Sequence, residues 1–160
     1  MYYTAFYKSP IGNIEIKSDE DHITSVNFIE GKTKQNENSK GIKVLSQCKK
    51  ELDEYFHGNR TTFNVPYKLY GTPFQEEVWE KLDTIPYGRT NSYKDIAQKI
   101  GSTKLSRAVG QTNSLNPIAI IVPCHRVVGR NGNLTGYAGG LERKKWLLEF
   151  ELKVKQPKLF

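Results

Sequence analysis

The chain is poor in cysteine, with two in 160 residues, Cys48 and Cys124. That number excludes a disulfide-built scaffold, and the pair lacks the close spacing of a zinc knuckle. A single Cys48–Cys124 disulfide stays arithmetically open; two free thiols in a reducing cytoplasm is the simpler reading. Long apolar runs are also missing. The longest, Ile118 to Val122, falls far short of the roughly 20 residues that a membrane-spanning helix needs. The first residues, Met1-Tyr2-Tyr3-Thr4, carry neither the basic cap nor the apolar stretch of a secretory signal. Hydrophobic residues make up only 37% of the chain and 11% are aromatic, so Tyr, Phe and Trp must supply much of the core. With a mean hydropathy of −0.61, the expectation is a soluble cytoplasmic protein of one domain or two small ones, long enough to bury a core unaided. No internal repeat is visible.

Charge is present in excess of one sign. Twenty-four basic residues against 17 acidic ones give +7, and the excess is local. Between residues 84 and 141 stand Arg89, Lys94, Lys99, Lys104, Arg107, Arg126 and Arg130 against one acid, Asp95. A segment of that kind suits a polyanion such as nucleic acid, and a solvated basic face is the plainer alternative.

The pattern along the chain predicts an α+β protein: a small N-terminal antiparallel sheet with a helix, followed by a mainly helical C-terminal domain. Tyr3, Ala5 and Tyr7, then Ile14 and Ile16, then Ile23, Val26 and Phe28 read as a three-strand meander, with turns at Ser9-Pro10/Gly12-Asn13 and at Asp19-Glu20-Asp21. Glu30 to Gly41 is polar and aperiodic, a loop. Val44, Leu45, Cys48, Leu52, Tyr55 and Phe56 recur at helical spacing up to Gly58-Asn59, which makes Cys48 a core thiol. Thr61 to Leu69 reads as a short strand or extended link, so the boundary falls between a domain of residues 1–65 and one of 70–155.

In the second domain Thr72 is a natural N-cap and Pro73 suits the first helical position, with Phe74, Val78, Trp79 and Leu82 continuing the period. Ser92 caps a helix from Tyr93 to Ile100, Gly101-Ser102-Thr103 turns the chain, and a second helix runs from about Lys104 to Ser114. A short helix, a glycine turn and a basic second helix is the layout of a helix-turn-helix. In that second helix Arg107 stands beside Ala108, Val109 and Gly110, a small face able to approach either a DNA groove or a neighbouring helix. A last helix runs from Leu141 to about Val154, and its acids Glu149 and Glu151 could orient a histidine.

Asn116-Pro117 leads into the apolar run, which reads as a buried strand ended by Pro123. Cys124 then sits where the chain turns, followed by His125 and Arg126. A thiolate is the nucleophilic form, neighbouring positive charge favours it, and a nearby base can take the proton. His125 reaches Cys124 only if the chain turns there, or through a water. Downstream, Thr135-Gly136-Tyr137-Ala138-Gly139-Gly140 is a glycine loop with one aromatic, able to wall a pocket for a planar ring or merely to connect.

Pro123-Cys124-His125-Arg126-Val127-Val128 closely resembles the active-site motif of the O6-alkylguanine-DNA alkyltransferase family. The likeness extends through Arg107-Ala108-Val109-Gly110, Asn116-Pro117, Gly136-Tyr137-Ala138-Gly139-Gly140-Leu141 and Lys144-Lys145-Trp146-Leu147-Leu148. It spans roughly residues 72–152; the N-terminal part fits only the family's general two-domain layout. The resemblance implies repair of alkylated DNA by direct reversal. Cys124 would take the alkyl group from guanine O6 once and irreversibly. His125 would act as base through a water, Glu151 would orient it, Asn116 would brace the turn, and Tyr93 would hydrogen-bond the guanine ring. Arg107, Ala108, Gly110, Tyr93 and Arg126 would contact DNA, with Arg107 filling the space left by the flipped base, and Tyr137, Ala138 and Gly139 would line the base pocket. The implied partner is double-stranded DNA containing O6-alkylguanine, met by a monomer, with no membrane.

Some members carry an N-terminal zinc site; here only His22, Cys48 and His57 are available, so neither zinc nor an organic cofactor is expected. Ala138 stands where some members have Ser, which removes a hydroxyl contact to the base. Asn113 and Ser114 follow the second helix with shorter or less basic side chains than some relatives have. The competing readings are a damage-binding module without transfer, a helix-turn-helix regulator, and a cysteine hydrolase. Cys124 argues against the first, the lack of a dimer helix against the second, and the lack of a visible oxyanion hole against the third.

Overall fold

The computed structural model describes residues 2–31 and 37–155, so part of the polar loop at 30–41, residues 32–36, lies outside the described residues. Two compact units form: one gathers the chain up to Tyr70 with Pro117–Ile121, the other Gly71–Asn116 with the chain from Val122 onward. No helix among the described residues is long and apolar enough to cross a membrane.

The first unit is an antiparallel meander of β1 (Tyr3–Ser9), β2 (Gly12–Ser18) and β3 (Ile23–Ile29), with β2 in the centre. Alternation puts Tyr3, Ala5 and Tyr7 opposite Ser18, Ile16 and Ile14, and Ala5, Ile14 and Ile16 are fully buried. Helix α1 (Lys43–Phe56) carries the matching stripe: Val44, Leu45, Cys48, Leu52, Tyr55 and Phe56 are all buried. Burial pushes the Cys48 thiol up to about 12, with Glu51 adding to the shift, so it is an inert core group.

Strand β3 does not end the hydrogen bonding of this unit. Ile23 pairs with Tyr67 and Val26 with Ile118, each through a single parallel bridge. The Val26 N–H donates to the Pro117 carbonyl and the Ala119 N–H donates to the Val26 carbonyl, both at 2.9 Å. Among the described residues, the apolar run expected as a strand therefore bridges β3 at Ile118 without continuing as a ladder. Beyond it the backbone partners are the run's own: the Ile121 N–H donates to the Ala119 carbonyl at 2.7 Å around Ile120, which sits at φ +70°. That is the γ-turn form seldom seen in proteins, and a β-branched residue in it costs about 1–3 kcal/mol.

Glu51 is a buried carboxylate in the middle of α1, 3% exposed. It accepts hydrogen bonds from the Asn64 and Val65 N–H groups at 2.8 and 3.1 Å and from Gln47 Nε2 at 2.7 Å. It thereby fastens the segment after α1 back onto the helix.

The second unit starts with α2 (Pro73–Leu82). Its capping box is closed in both directions: Thr72 Oγ1 accepts from the Gln75 N–H at 3.1 Å and Gln75 Oε1 from the Thr72 N–H at 3.0 Å. Next, β4 (Asn91–Ser92) leads into α3 (Tyr93–Ile100), where Ser92 and Asp95 make the same reciprocal pair at 3.0 and 2.8 Å. Gly101 ends α3 at φ +155°, a conformation open to glycine. The helix expected from Lys104 opens instead as a 3₁₀ turn at Thr103–Leu105, and α4 proper is Ser106–Asn113. The reason is local: Ser102 Oγ accepts from the Lys104 N–H and Ser106 Oγ donates to the Thr103 carbonyl, which tightens that turn. A second 3₁₀ turn, Cys124–Arg126, precedes β5 (Val127–Val128), which pairs in parallel with β4. The chain closes with α5 (Leu141–Lys155). Ile96, Ala97, Val109, Val78, Trp79 and Leu82 are buried, and Trp79 Nε1 donates to the Thr112 carbonyl at 3.1 Å, pinning the end of α4 to α2.

Glu51→Ala is expected to lower unfolding stability by about 3 kcal/mol, because two backbone donors lose a charged acceptor, with Glu51→Gln intermediate. Urea unfolding of the three proteins checks this; a loss under about 1 kcal/mol would mean that water takes over the carboxylate's role.

Candidate active site

Asn116, Pro123 and the 3₁₀ turn together place Cys124. Pro123 has φ −82° and ψ 62°, and the Cys124 N–H donates to the Val122 carbonyl at 2.8 Å, so the chain folds back at Cys124. Asn116 Nδ2 donates to the same Val122 carbonyl at 2.8 Å. Asn113 Nδ2 donates to the Cys124 carbonyl at 3.2 Å. The thiol is 3% exposed. Burial pushes it up to about 11; a hydrogen bond from Asn116 and the charge of Lys144 oppose the rise without cancelling it.

His125 is completely buried, and its Nε2 lies 2.6 Å from Glu151 Oε2. Burial alone would raise the Glu151 carboxyl; the His125 ring and the Arg126 guanidinium overcome it and hold the group well below its usual range. An ionised carboxylate only accepts, so Nε2 carries a proton, and Nδ1 is the ring nitrogen left to exchange one. Nδ1 makes no hydrogen bond among the described residues. Arg126 completes the cluster: Nε and Nη2 donate to Glu151 Oε1 and Oε2 at 2.8 and 3.1 Å, and Nη1 donates to the Ile85 carbonyl at 2.8 Å. Its guanidinium also lies 5.5 Å from the centre of the Tyr87 ring.

A second group of side chains meets at Thr135. The Tyr93 hydroxyl donates to the Thr135 carbonyl at 2.8 Å and lies 3.0 Å from Thr135 Oγ1. Lys144 Nζ donates to the same carbonyl at 2.6 Å and lies 5.9 Å from the centre of the Tyr93 ring. Burial lowers the Lys144 ammonium to about 8, while the neighbouring Cys124 works the other way. Burial raises the Tyr93 phenol, as does Cys124, so thiol, ammonium and phenol share one environment. Gly136 is needed beside them: its φ is +60°, and a Cβ there would come within 3.2 Å of the Tyr93 hydroxyl. Tyr137 is 8% exposed, and its hydroxyl has no hydrogen bond among the described residues. Burial, and then Cys124, push that phenol well above 10. Ala138 is exposed and Gly139 half-buried.

On the surface of the same unit, Lys94, Lys99, Lys104 and Arg107 are exposed on the paired helices. Ala108 and Gly110 are half-buried, and a Cβ on Gly110 would meet the Tyr93 ring at 3.6 Å, an ordinary contact.

Residues 73–153 match the family model described as 6-O-methylguanine DNA methyltransferase, DNA binding domain, and residues 1–69 match the model described as its ribonuclease-like domain. The chain belongs to the 6-O-methylguanine DNA methyltransferase family. It is 47% identical over 154 residues to a Methanosarcina acetivorans protein named methylated-DNA--protein-cysteine methyltransferase, covering 94% of this chain and 98% of that one. A Bacillus subtilis protein of that name, constitutive, is 46% identical over 157 residues, with 94% of each chain covered. Among solved structures, Mycobacterium tuberculosis OGT in complex with DNA is similar at a TM-score of 0.85 and 44% identity, over 96% of this chain and 93% of that one.

In this methyltransferase-family chain the structure gathers Cys124, His125, Glu151 and Asn116 into one buried cluster, with Tyr93 and Tyr137 near the thiol. It separates Arg107, which stands exposed on α4, from that cluster. Arg126, which the resemblance counts among the DNA contacts, is 6% exposed and bound to Glu151, so it is part of the cluster's interior. For the same reason Arg126 does not lower the thiol, as its position beside Cys124 suggests, because its charge is matched by Glu151. Lys144, Asn113 and Thr135 were missed as site residues. For Lys144 a signal existed: it lies seven residues before Glu151, two helical turns away on the same face of α5, with Leu147 between. Lys144, Leu147 and Glu151 are all buried.

The Glu151 cluster carries a pH dependence. A carboxyl whose folded value lies below its usual 4.5 contributes stability that is present above 4.5 and lost as pH falls below it. Unfolding free energy is therefore expected to drop on acidification below about pH 4.5, by up to about 1.4 kcal/mol per pH unit from this group. In Glu151→Gln that part of the acid slope should vanish, at a lower stability throughout. Equal acid slopes in the two proteins, from denaturant unfolding at several pH values, would remove Glu151 from the account.

Proposed function

We propose that this protein repairs O6-alkylguanine in DNA by moving the alkyl group onto its own Cys124, once per molecule, as a cytoplasmic monomer without an organic cofactor. The observation that carries the reading is a buried thiol followed in the chain by a buried histidine whose Nε2 is held by the Arg126-bound carboxylate of Glu151, in one unit with an exposed basic helix pair.

The chemistry follows from the values at the site. With burial holding the thiol well above its ordinary value, little free thiolate exists at neutral pH, so the proton leaves as the sulfur attacks. His125 Nδ1 is the atom that can take it, through a bridging water, with Nε2 anchored on Glu151 to stabilise the imidazolium. Sulfur forms a bond to the alkyl carbon, the C–O6 bond breaks, and its electron pair moves to the guanine, where a proton from the Tyr93 hydroxyl neutralises the developing charge. Asn116 holds the turn that aims the sulfur. The product is a thioether, which no side chain of the cluster can cleave.

Guanine O6 cannot be reached in a stacked duplex, so the nucleotide must be extruded, at a few kcal/mol. Arg107, exposed on α4, is the side chain placed to enter the gap, with Ala108 and Gly110 leaving room for the backbone of DNA. Tyr137, Ala138 and Gly139 would wall the extruded base. A DNA-bound relative at 44% identity supports the same partner here.

Incubation with a short duplex containing O6-methylguanine should add one methyl group per protein, mapped by peptide mass to Cys124, and Cys124→Ala should gain none while still binding the duplex. Binding of the duplex by the unaltered protein without any mass gain would instead point to a damage-binding module. Arg107→Ala should slow transfer from duplex by about tenfold, the effect of losing some 1.4 kcal/mol of transition-state stabilisation, and slow reaction with free O6-benzylguanine less. Equal losses on both substrates, from single-turnover rates, would refute the wedge role.

A further inference from the structure

We infer that Asn113 is a positioning residue for the nucleophile, fixing the Cys124 peptide from the last turn of α4. The inference rests on the alkyl-transfer reading above and assigns a task to a residue which that mechanism does not use.

Asn113 is 1% exposed and closes α4. Six residues earlier on the same helix stands the exposed Arg107. The end of the helix does not swing freely, because Trp79 holds the Thr112 carbonyl and the Leu115 N–H donates to it as well. From this anchored turn the Asn113 amide reaches the Cys124 carbonyl. Asn116 grips the other side of the nucleophile through the Val122 carbonyl, which also receives the Cys124 N–H. The peptide plane after Cys124 is thus held directly by Asn113, while Asn116 holds the Val122–Pro123 plane to which the Cys124 N–H is bonded. The plane after Cys124 leads into His125, so its orientation sets how thiol and imidazole face one another. In-line transfer is sensitive to that geometry, since a misplacement of about 1 Å can cost a hundredfold in rate.

Two details separate this from ordinary scaffolding. The Cys124 carbonyl already accepts from the Val127 N–H inside its own turn, so Asn113 is not required to satisfy it. The Asn113 Oδ1 is buried with no hydrogen bond among the described residues, a state that disfavours the fold by about 1–3 kcal/mol. A leucine, which has the same branched skeleton but is larger, would leave no buried polar atom at this position. The amide is poorly suited to stabilisation and well placed to orient the nucleophile.

The test compares Asn113→Leu and Asn113→Asp with the unaltered protein. Single-turnover methyl transfer is followed against duplex concentration, reaction with free O6-benzylguanine is followed in parallel, and Tm and circular dichroism report on folding. The expected result is a maximal rate lower by about tenfold or more on both substrates, a half-saturating duplex concentration within about twofold of the original, and a folded protein. A maximal rate within about twofold of the original overturns the inference, as does a loss seen only as weaker duplex binding. Failure of both variants to fold also overturns it, since Asn113 is then structural. If the unaltered protein itself transfers nothing, the proposed function fails and this inference with it; normal transfer by both variants removes only the inference.

Discussion

The carboxylate of Glu151 is the group to which the other parts of the site are referred. It is 1% exposed, and an ion in that position is tolerable only with close partners of opposite charge. The guanidinium of Arg126 supplies two hydrogen bonds and the ring of His125 a third. Because Arg126 also reaches the Ile85 carbonyl, the loop after α2, the turn at Cys124–Arg126 and helix α5 are all referenced to one pair of oxygen atoms. Burying the ion pair is not an efficient way to stabilise a fold, and an apolar cluster of equal volume would do as well. Its effect is directional: it decides which imidazole nitrogen is anchored and which is left without a partner among the described residues.

Seen from that cluster, the unit divides into a polar interior and an outward basic surface that share one short helix. Helix α4 presents Arg107 outward and Asn113 inward. Helix α5 runs against the usual amphipathic pattern, burying Lys144 and Glu151 while Leu141 and Leu152 remain about half exposed. Such inversions are expected where a site overrides the preferences of local structure.

That inversion also marks the limit of what the sequence could tell. Capping signals at Thr72 and Ser92 located two helix starts because the chemistry is contained within four residues. The meander was readable for a similar reason, since alternation by two is local. The run Ile118 to Val122 misled because apolar content reports burial, not conformation: it bridges β3 at Ile118 and then turns at Ile120. Arg126 misled because a charge is visible in sequence and its partner, 25 residues on, is not. Asn113 depends on a contact across elements that no spacing rule encodes. The resemblance supplied the roles of Cys124, His125 and Glu151, while the distances that give those roles physical content came from the fold.

The depth of the Cys124 thiol has one more effect. A protonated, enclosed sulfur is a poor target for peroxides, disulfides and stray electrophiles, which react with exposed thiolate. A protein whose nucleophile can be used only once has no means of recovering from such side reactions. Burial therefore acts as preservation: it keeps each molecule unspent during the interval, long compared with any catalytic step, between synthesis and encounter with a lesion.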